Sequence, residues 1–394
     1  MKALFYKSEI NGTVNGVPSK SYGHRAMILS YLSGSENDFP ITCEDLFATK
    51  NCLSSIESGK LFCGESGSTL RFLLPVTSAL GGTFEFSGKG RLMERPNGEL
   101  LDLLSFHGVR VEADGKTIKT SGKLTGDRFS IRGDISSQFV SGLLMAMPLI
   151  GGGKVELLTP LSSEPYVSIT LEVMEKFGVK VEKKDNAYIV PNINYKRKDG
   201  YKIPSDWSSS AFMLSLGAVA GKVCVKGLSK EDNQADRRIV DILHSFGAKT
   251  EEKDGAVTAE KGELSAIEIS MDDCPDIVPV VSAVSSVAKG KTLIKGVRRL
   301  RFKESDRVLA IEKMLNSVGI NARSTEDELI IEGGKIHGGN VETFSDHRIA
   351  MSAGVLGAVS SGTVSIDNAK CVDKSYPSFY EDYLRLGGKV RVFL

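Results

Sequence analysis

The chain has 394 residues, 50 basic against 49 acidic, and a formal net charge of +1. That length exceeds what one hydrophobic core usually supports, so two domains are expected, and near-neutrality removes any general electrostatic ground for binding nucleic acid or an anionic membrane. The six cysteines form no Cys-x-x-Cys pair, the start lacks the apolar core of a signal peptide, and no segment reads as a membrane span; a thiol-bearing cytoplasmic protein without a disulfide framework or zinc site is the expectation.

The first informative stretch is VPSKSYGHRAMILSYL, Val17 to Leu32, which sets Lys20 and Arg25 at the start of an apolar helical run. A helix N-terminus already carries partial positive charge and unpaired N–H groups, so added cations there suit an arriving anion. Taken alone, the same stretch reads more readily as a solvated first turn.

Further along, five segments share one design, beginning GESGSTLRF, GDISSQFV, SDWSSSAF, DDCPDIVP and FSDHRIAM. Each opens on Ser or Asp, runs through small apolar residues, stops at glycine and continues into a β-prone stretch, which spells N-cap, helix, C-cap and strand. A second motif alternates with it: a helix ending at Gly108, Gly178, Gly247, Gly319 or Gly387, followed by a strand and in most copies a polar turn and another strand. Successive copies lie roughly 70 residues apart and read β-α-β-α-β-β. The opening stretch is the first, shortened member. Six such units divide into two domains of three, with a break near Lys202–Ser205. The first helices of the units are apolar on nearly every side, so they are expected inside their domains, covered by sheet.

Cations recur at these helix entrances: Lys20 and Arg25, Arg71, Lys303 with Arg307, and Arg348, with Arg91 and Arg95 in GRLMERP and Lys374 in DKSYP. Singly, each fits a surface ion pair; as a set in a near-neutral chain they point to small phosphate- or carboxylate-bearing ligands. Ser136, Ser137 and Gln138 add neutral donors. Asp276 and Glu304 stand among the cations as candidates for moving protons, with helix capping the alternative for Asp276, while Asp306 reads as a cap and His347 as either a titrating or a structural group.

PSKSYGHRA, GESGSTLR, GRLMERP, SSQF, SSEPY, the Pro-Asp at Asp276, RFKESDR, SDHRIAM and DKSYP together resemble the enolpyruvyl transferase family throughout the chain, in the branch acting on shikimate 3-phosphate. The resemblance implies an α/β fold of two inverse α/β-barrel-like domains, each of three β-α-β-α-β-β repeats. It places the boundaries at 1–18 with 205–394, including the first strand, and 19–204, with the active site in the cleft. It implies transfer of the enolpyruvyl group of phosphoenolpyruvate to the 5-hydroxyl of shikimate 3-phosphate, releasing phosphate, with no metal or organic cofactor. By motif, Lys20 touches both substrates; Ser21, Arg25, Ser136, Ser137, Gln138, Ser163 and Tyr166 surround the shikimate 3-phosphate. Gly67, Arg91, Arg307, Arg348 and Lys374 grip phosphoenolpyruvate, Asp276 and Glu304 are the acid/base pair, and Lys303 sits beside the reacting hydroxyl. The partners implied are these two small molecules, bound by a monomer, and sensitivity to glyphosate follows from the retained Gly67.

Glu65, Arg299, His24 and Lys50–Asn51 depart from the family's usual residues, and no role is assigned to Glu65 or Arg299. Three alternatives stay open. A UDP-N-acetylglucosamine enolpyruvyl transferase commonly carries a cysteine in the loop matching GKGRLMERP, and none stands here. An RNA 3′-phosphate cyclase relative needs a nucleotide site and a differently placed histidine, and a non-catalytic anion binder has no need of Asp276 and Glu304.

Overall fold

The computed structural model describes residues 1–393. The chain forms two compact units, Met1–Val17 with the chain from Pro204 onward, and Pro18–Ile203. Each has its own hydrophobic core.

The repeat is clearest in the second unit. Strand Lys60–Phe62, helix Gly67–Leu80, strand Gly82–Ser87, helix Gly98–Phe106 and strands Val109–Ala113 and Thr117–Gly122 follow in order. The first two strands pair in parallel, Leu61 beside Phe86, and the hairpin joins antiparallel, Phe84 opposite Thr120 and Val111 opposite Thr120. The next repeat, from Arg128–Ile131 to Ala187–Val190, builds its four-stranded sheet the same way.

The described residues of the second unit hold only these two sheets, where three repeats were expected. The shortened first repeat contributes helices Lys20–Ser33 and Glu44–Ser54 but no sheet of its own. Its side chains take backbone N–H groups of the segment that ends the unit instead: Ser35 Oγ accepts from Lys198 N at 2.8 Å and Asn37 Oδ1 from Tyr201 N at 2.9 Å. The N-terminal strands complete repeats in the other unit. Ile10–Asn15 runs parallel to Gly221–Lys226, and Lys2–Tyr6 lies antiparallel between Val364–Ile366 and Lys389–Phe393.

The six helices Lys20–Ser33, Gly67–Leu80, Ser137–Ala146, Trp207–Ala220, Val278–Ser285 and His347–Val359 are buried over most of their lengths. Their small polar residues survive there by bonding back along the helix, as Ser78 Oγ does to Leu74 O at 2.7 Å and Ser352 Oγ to Arg348 O at 2.7 Å. Gly142 lets two of them touch, since a Cβ there would stand 2.5 Å from Arg71 O. Ser66, Ser136, Asp206 and Asp346 cap four of the six by accepting a first-turn N–H. At the fifth, Pro275–Ile277 forms a 3-10 turn with no side-chain cap, so Asp276 does not cap it. The outer helices stop where expected, with Gly108, Gly178, Gly247, Gly319 and Gly387 all at positive φ.

Candidate active site

Two charged constellations stand out, one in each unit. In the unit 18–203, Lys20 opens its helix and its Nζ reaches Asp45 Oδ2 at 2.8 Å. One turn on, Arg25 is 2% exposed and its guanidinium donates to Thr170 Oγ1 at 2.6 Å, Ser21 O at 2.7 Å, Tyr166 O at 2.8 Å and Ser141 Oγ at 3.3 Å. None of these acceptors is a carboxylate. Burial pulls the Arg25 pKa down to about 9, with Tyr22 and Tyr166 opposing. Its face lies 4.8 Å from the Phe72 ring centroid. A desolvated guanidinium with only neutral acceptors suits an anionic ligand.

Around it, Ser136, Ser137 and Ser163 are buried, and Ser163 holds φ 54 immediately before helix Glu164–Lys176. A non-glycine residue in that region is held there by its surroundings, a pattern that gathers at binding sites. Tyr166 is half-buried on that helix. Gln138 Nε2 donates to Ser68 Oγ at 2.9 Å and its Oε1 accepts from Arg71 Nη1 at 2.9 Å. Arg71 also bonds Asn97 Oδ1 and Pro96 O, both at 2.9 Å, so it ties the start of helix Ser137–Ala146 to the loop that carries the other cations.

In that loop the two arginines are placed differently. Arg91 is exposed, its nearest acid Glu94 Oε2 at 3.5 Å. Arg95, four residues on and past the 3-10 turn Leu92–Glu94, is the arginine that covers Gly67: a Cβ on Gly67 would lie 2.6 Å from Arg95 Nη1. Glu65 projects towards Gly90, where an added Cβ would meet Glu65 Oε1 at 2.8 Å.

The other unit holds the carboxylates. Arg307, 1% exposed, starts helix Arg307–Ser317 and donates to Asp346 Oδ2 at 2.7 Å, Glu304 Oε2 at 2.8 Å and Asp276 Oδ1 at 3.1 Å. Arg348 Nη2 donates to Asp276 Oδ2 at 2.8 Å and its Nη1 to Asp276 O at 3.0 Å. Lys303 Nζ lies 3.5 Å from Asp276 Oδ1, and Lys374 Nζ 3.9 Å from Glu304 Oε1. Burial alone would favour a neutral Asp276, but Arg348, Lys303 and Arg307 outweigh it and hold the carboxyl well below the usual carboxylate range. Burial also opposes the charge on Arg307, and Asp346, Glu304 and Asp276 overcome it, raising its pKa. Asp306 caps the Arg307–Ser317 helix through Leu309 N at 3.1 Å, and His347 is fully buried.

Asp276 is therefore held as a carboxylate at neutral pH, beside the three cations Arg348, Lys303 and Arg307. Glu304 keeps 13% of its side chain exposed beside Arg307 and Lys374, which suits a group that exchanges protons with a ligand. The sequence reading passed over Asp346, the fully buried anchor of Arg307, although its place in SDHRIAM marked it as a cap. It gave Arg95 and Arg71 no specific role.

A doubly repeated β-α-β-α-β-β architecture with cations at helix starts is the fold of the enolpyruvyl transferases. Solved structures with that fold superpose on the chain: the EPSP synthase of Acinetobacter baumannii, at TM-score 0.81, 24% identity and full coverage of both chains, and the enolpyruvyl transferase NikO of Streptomyces tendae, at TM-score 0.79, 15% identity and 99% and 98% coverage. Residues 43–383 match the family model described as EPSP synthase (3-phosphoshikimate 1-carboxyvinyltransferase). Proteins named 3-phosphoshikimate 1-carboxyvinyltransferase from Methanocorpusculum labreanum and Thermococcus kodakarensis are 36% and 38% identical to it, covering 99% and 96% of the chain and 100% and 98% of the relatives. The chain belongs to the EPSP synthase family.

Proposed function

We propose that both constellations serve one reaction, the transfer of the enolpyruvyl group of phosphoenolpyruvate to the 5-hydroxyl of shikimate 3-phosphate with release of phosphate. The observation that carries this assignment of residues is the cluster of Asp276, Lys303, Glu304, Arg307, Arg348 and Lys374 assembled in one unit of a chain of this family. Phosphoenolpyruvate carries a phosphate and a carboxylate on three carbons. Arg348, Lys374 and Arg307 supply charge for these, and Gly67 lets them approach a helix N-terminus. Arg91 serves the same anion from the GRLMERP loop, and Arg95 joins it, because its guanidinium lies over Gly67.

Arg25, with Ser21, Ser136, Ser137, Gln138, Ser163 and Tyr166, receives shikimate 3-phosphate, and Lys20 meets both substrates. Glu304 and Asp276 move the protons. The methylene carbon of phosphoenolpyruvate gains a proton as the 5-hydroxyl, losing its own, bonds to the adjacent carbon. The tetrahedral adduct then loses phosphate and one methyl proton to regenerate the double bond. Lys303, 3.5 Å from Asp276, stabilises the developing alkoxide.

The test is phosphate release from phosphoenolpyruvate with shikimate 3-phosphate or UDP-N-acetylglucosamine as acceptor. Release is expected with the first alone; release only with the second assigns the chain to cell-wall synthesis, and none with either removes the proposed catalytic role.

A further inference from the structure

Four buried side chains leading to the start of the Gly67–Leu80 helix form one line of hydrogen bonds. His24 Nδ1 lies 2.7 Å from Thr49 Oγ1, Thr49 Oγ1 2.7 Å from Thr69 Oγ1, and Thr69 Oγ1 2.7 Å from Ser66 Oγ. None of the four residues is more than 1% exposed. They come from three helices of the unit 18–203: Lys20–Ser33, Glu44–Ser54 and Gly67–Leu80, whose cap is Ser66. The functional reading uses residues at both ends of this line, Lys20 and Arg25 beside His24 in sequence and Gly67 after Ser66, but gives the four themselves no role.

Proton counting gives the line a direction. Each hydroxyl has one proton to donate. Thr69 Oγ1 spends its own on Ser66 Oγ, so Thr49 donates to Thr69. The other acceptor of Thr49, Asp45 O, stands at 3.5 Å and does not compete. Thr49 then has no proton left for His24, and His24 Nδ1–H donates to Thr49. One group is left over at each end. His24 Nε2, bare in this order, is buried without a hydrogen-bond partner. Ser66 Oγ accepts from Thr69 N at 3.2 Å as well as from Thr69 Oγ1, and its own proton has no acceptor among the described residues. The reverse order would put an N–H at Nε2, a buried donor with nothing to accept it, which is costly. Burial pulls the His24 pKa down to about 3, with Asp45 opposing and Lys20 and Arg25 adding to it, so the ring carries a single proton. Hydrogen bonds aligned in one sense polarise one another, and here the positive end of the line falls at a helix start whose N–H groups already favour an anion.

Resting on the functional reading above, we infer that His24, Thr49 and Thr69 are positioning residues for phosphoenolpyruvate: their one-way chain occupies the Ser66 lone pairs and leaves the Ser66 proton for the anion received beside Gly67.

Two measurements test it. Nitrogen-15 NMR of the imidazole rings at neutral pH, with His24→Asn identifying the His24 signals, should show a protonated Nδ1 and a bare Nε2; a proton on Nε2 reverses the chain and overturns the inference. Steady-state kinetics measures the consequence. Thr49→Val keeps the side-chain shape and breaks the chain at its middle, and His24→Leu removes its first donor. Both should raise KM for phosphoenolpyruvate about fivefold, the worth of one neutral hydrogen bond, with kcat and KM for shikimate 3-phosphate within about twofold of wild type. His24→Asn carries an amide N–H where Nδ1 stood and should recover most of that loss. A packing role alone gives no such split, because neither His24 variant reproduces the ring. An unchanged KM for phosphoenolpyruvate in Thr49→Val and His24→Leu overturns the inference, as does an equal rise in His24→Asn and His24→Leu; if Thr49→Val does not fold, the two His24 variants decide. A wild type that releases no phosphate overturns the functional reading, and the role towards phosphoenolpyruvate with it, whereas the NMR result bears on the chain alone.

Discussion

The two units handle buried positive charge in opposite ways. Arg25 in the unit 18–203 is enclosed by hydroxyls and carbonyl oxygens, and its pKa is pulled down to about 9. Arg307 in the other is enclosed by three carboxylates and its pKa is raised. Among the described residues the first arrangement bonds its positive charge to no anion, which suits an anionic ligand. The second pairs Arg307 with carboxylates, so an anion arriving at Arg307 would have to exchange with them. That exchange is useful in proton transfer, because displacing a cation from Asp276 or Glu304 changes that group's basicity as the ligand binds.

The largest expected effect tests this contrast through stability. Arg307→Met keeps most of the volume but takes the guanidinium from the fully buried Asp346 and removes a shared cation from Asp276 and Glu304, a loss of about 3–5 kcal/mol. Arg25→Met leaves only neutral acceptors unpaired and removes a desolvated charge, so its cost is about 1–2 kcal/mol. Thermal scans of both variants at one scan rate should show the larger drop in melting temperature for Arg307→Met. Equal drops would mean that the carboxylates around Arg307 neutralise by taking up protons, and the contrast between the units would not hold.

Next in size is a kinetic effect. Glu304→Gln and Asp276→Asn preserve shape and remove ionisation, so kcat should fall by ~10²-fold or more with a small change in KM for shikimate 3-phosphate. Steady-state kinetics in both substrates checks it. Near-normal kcat in both variants takes proton transfer away from this pair.

The parts of this arrangement that sequence made legible are those set by local chemistry. Ser66, Ser136, Asp206 and Asp346 announce their helices because a short polar side chain at that position satisfies an N–H that nothing else can reach. The glycines at 108, 178, 247, 319 and 387 announce the helix ends because the chain leaves each at positive φ. The pairing of Ile10–Asn15 with Gly221–Lys226 was not legible in local chemistry, because residues more than 200 positions apart decide it; the family resemblance alone assigned residues 1–18 to the later half. The same pairing leaves the shortened first repeat without a sheet. Arg95 and Arg91 are equal as residues; the fold alone brings the Arg95 guanidinium over Gly67.

The smallest effect concerns that contact. Gly67 is the first residue of its helix and its φ is not positive, so alanine is compatible with the backbone there. The obstacle is the Arg95 guanidinium, whose Nη1 would be 2.6 Å and Cζ 2.9 Å from the new methyl carbon. The flexible end of Arg95 can retreat, so Gly67→Ala should fold, with one donor displaced from the anion it is proposed to hold. A weakened charge-assisted hydrogen bond of this kind corresponds to about a tenfold rise in KM for phosphoenolpyruvate. Glyphosate, which carries a phosphonate and a carboxylate but is longer than the donor, loses the same contact and also meets the methyl group, so its inhibition constant should rise further than KM. Arg95→Gln isolates the first of these losses, because it removes the charge and leaves the pocket open: it should raise both constants by similar factors. Titration of glyphosate at several phosphoenolpyruvate concentrations in the two variants measures both quantities. If Gly67→Ala raises the two constants equally, crowding by the methyl group contributes nothing and the displaced guanidinium accounts for the whole effect; if Arg95→Gln changes neither, Arg95 does not hold the donor.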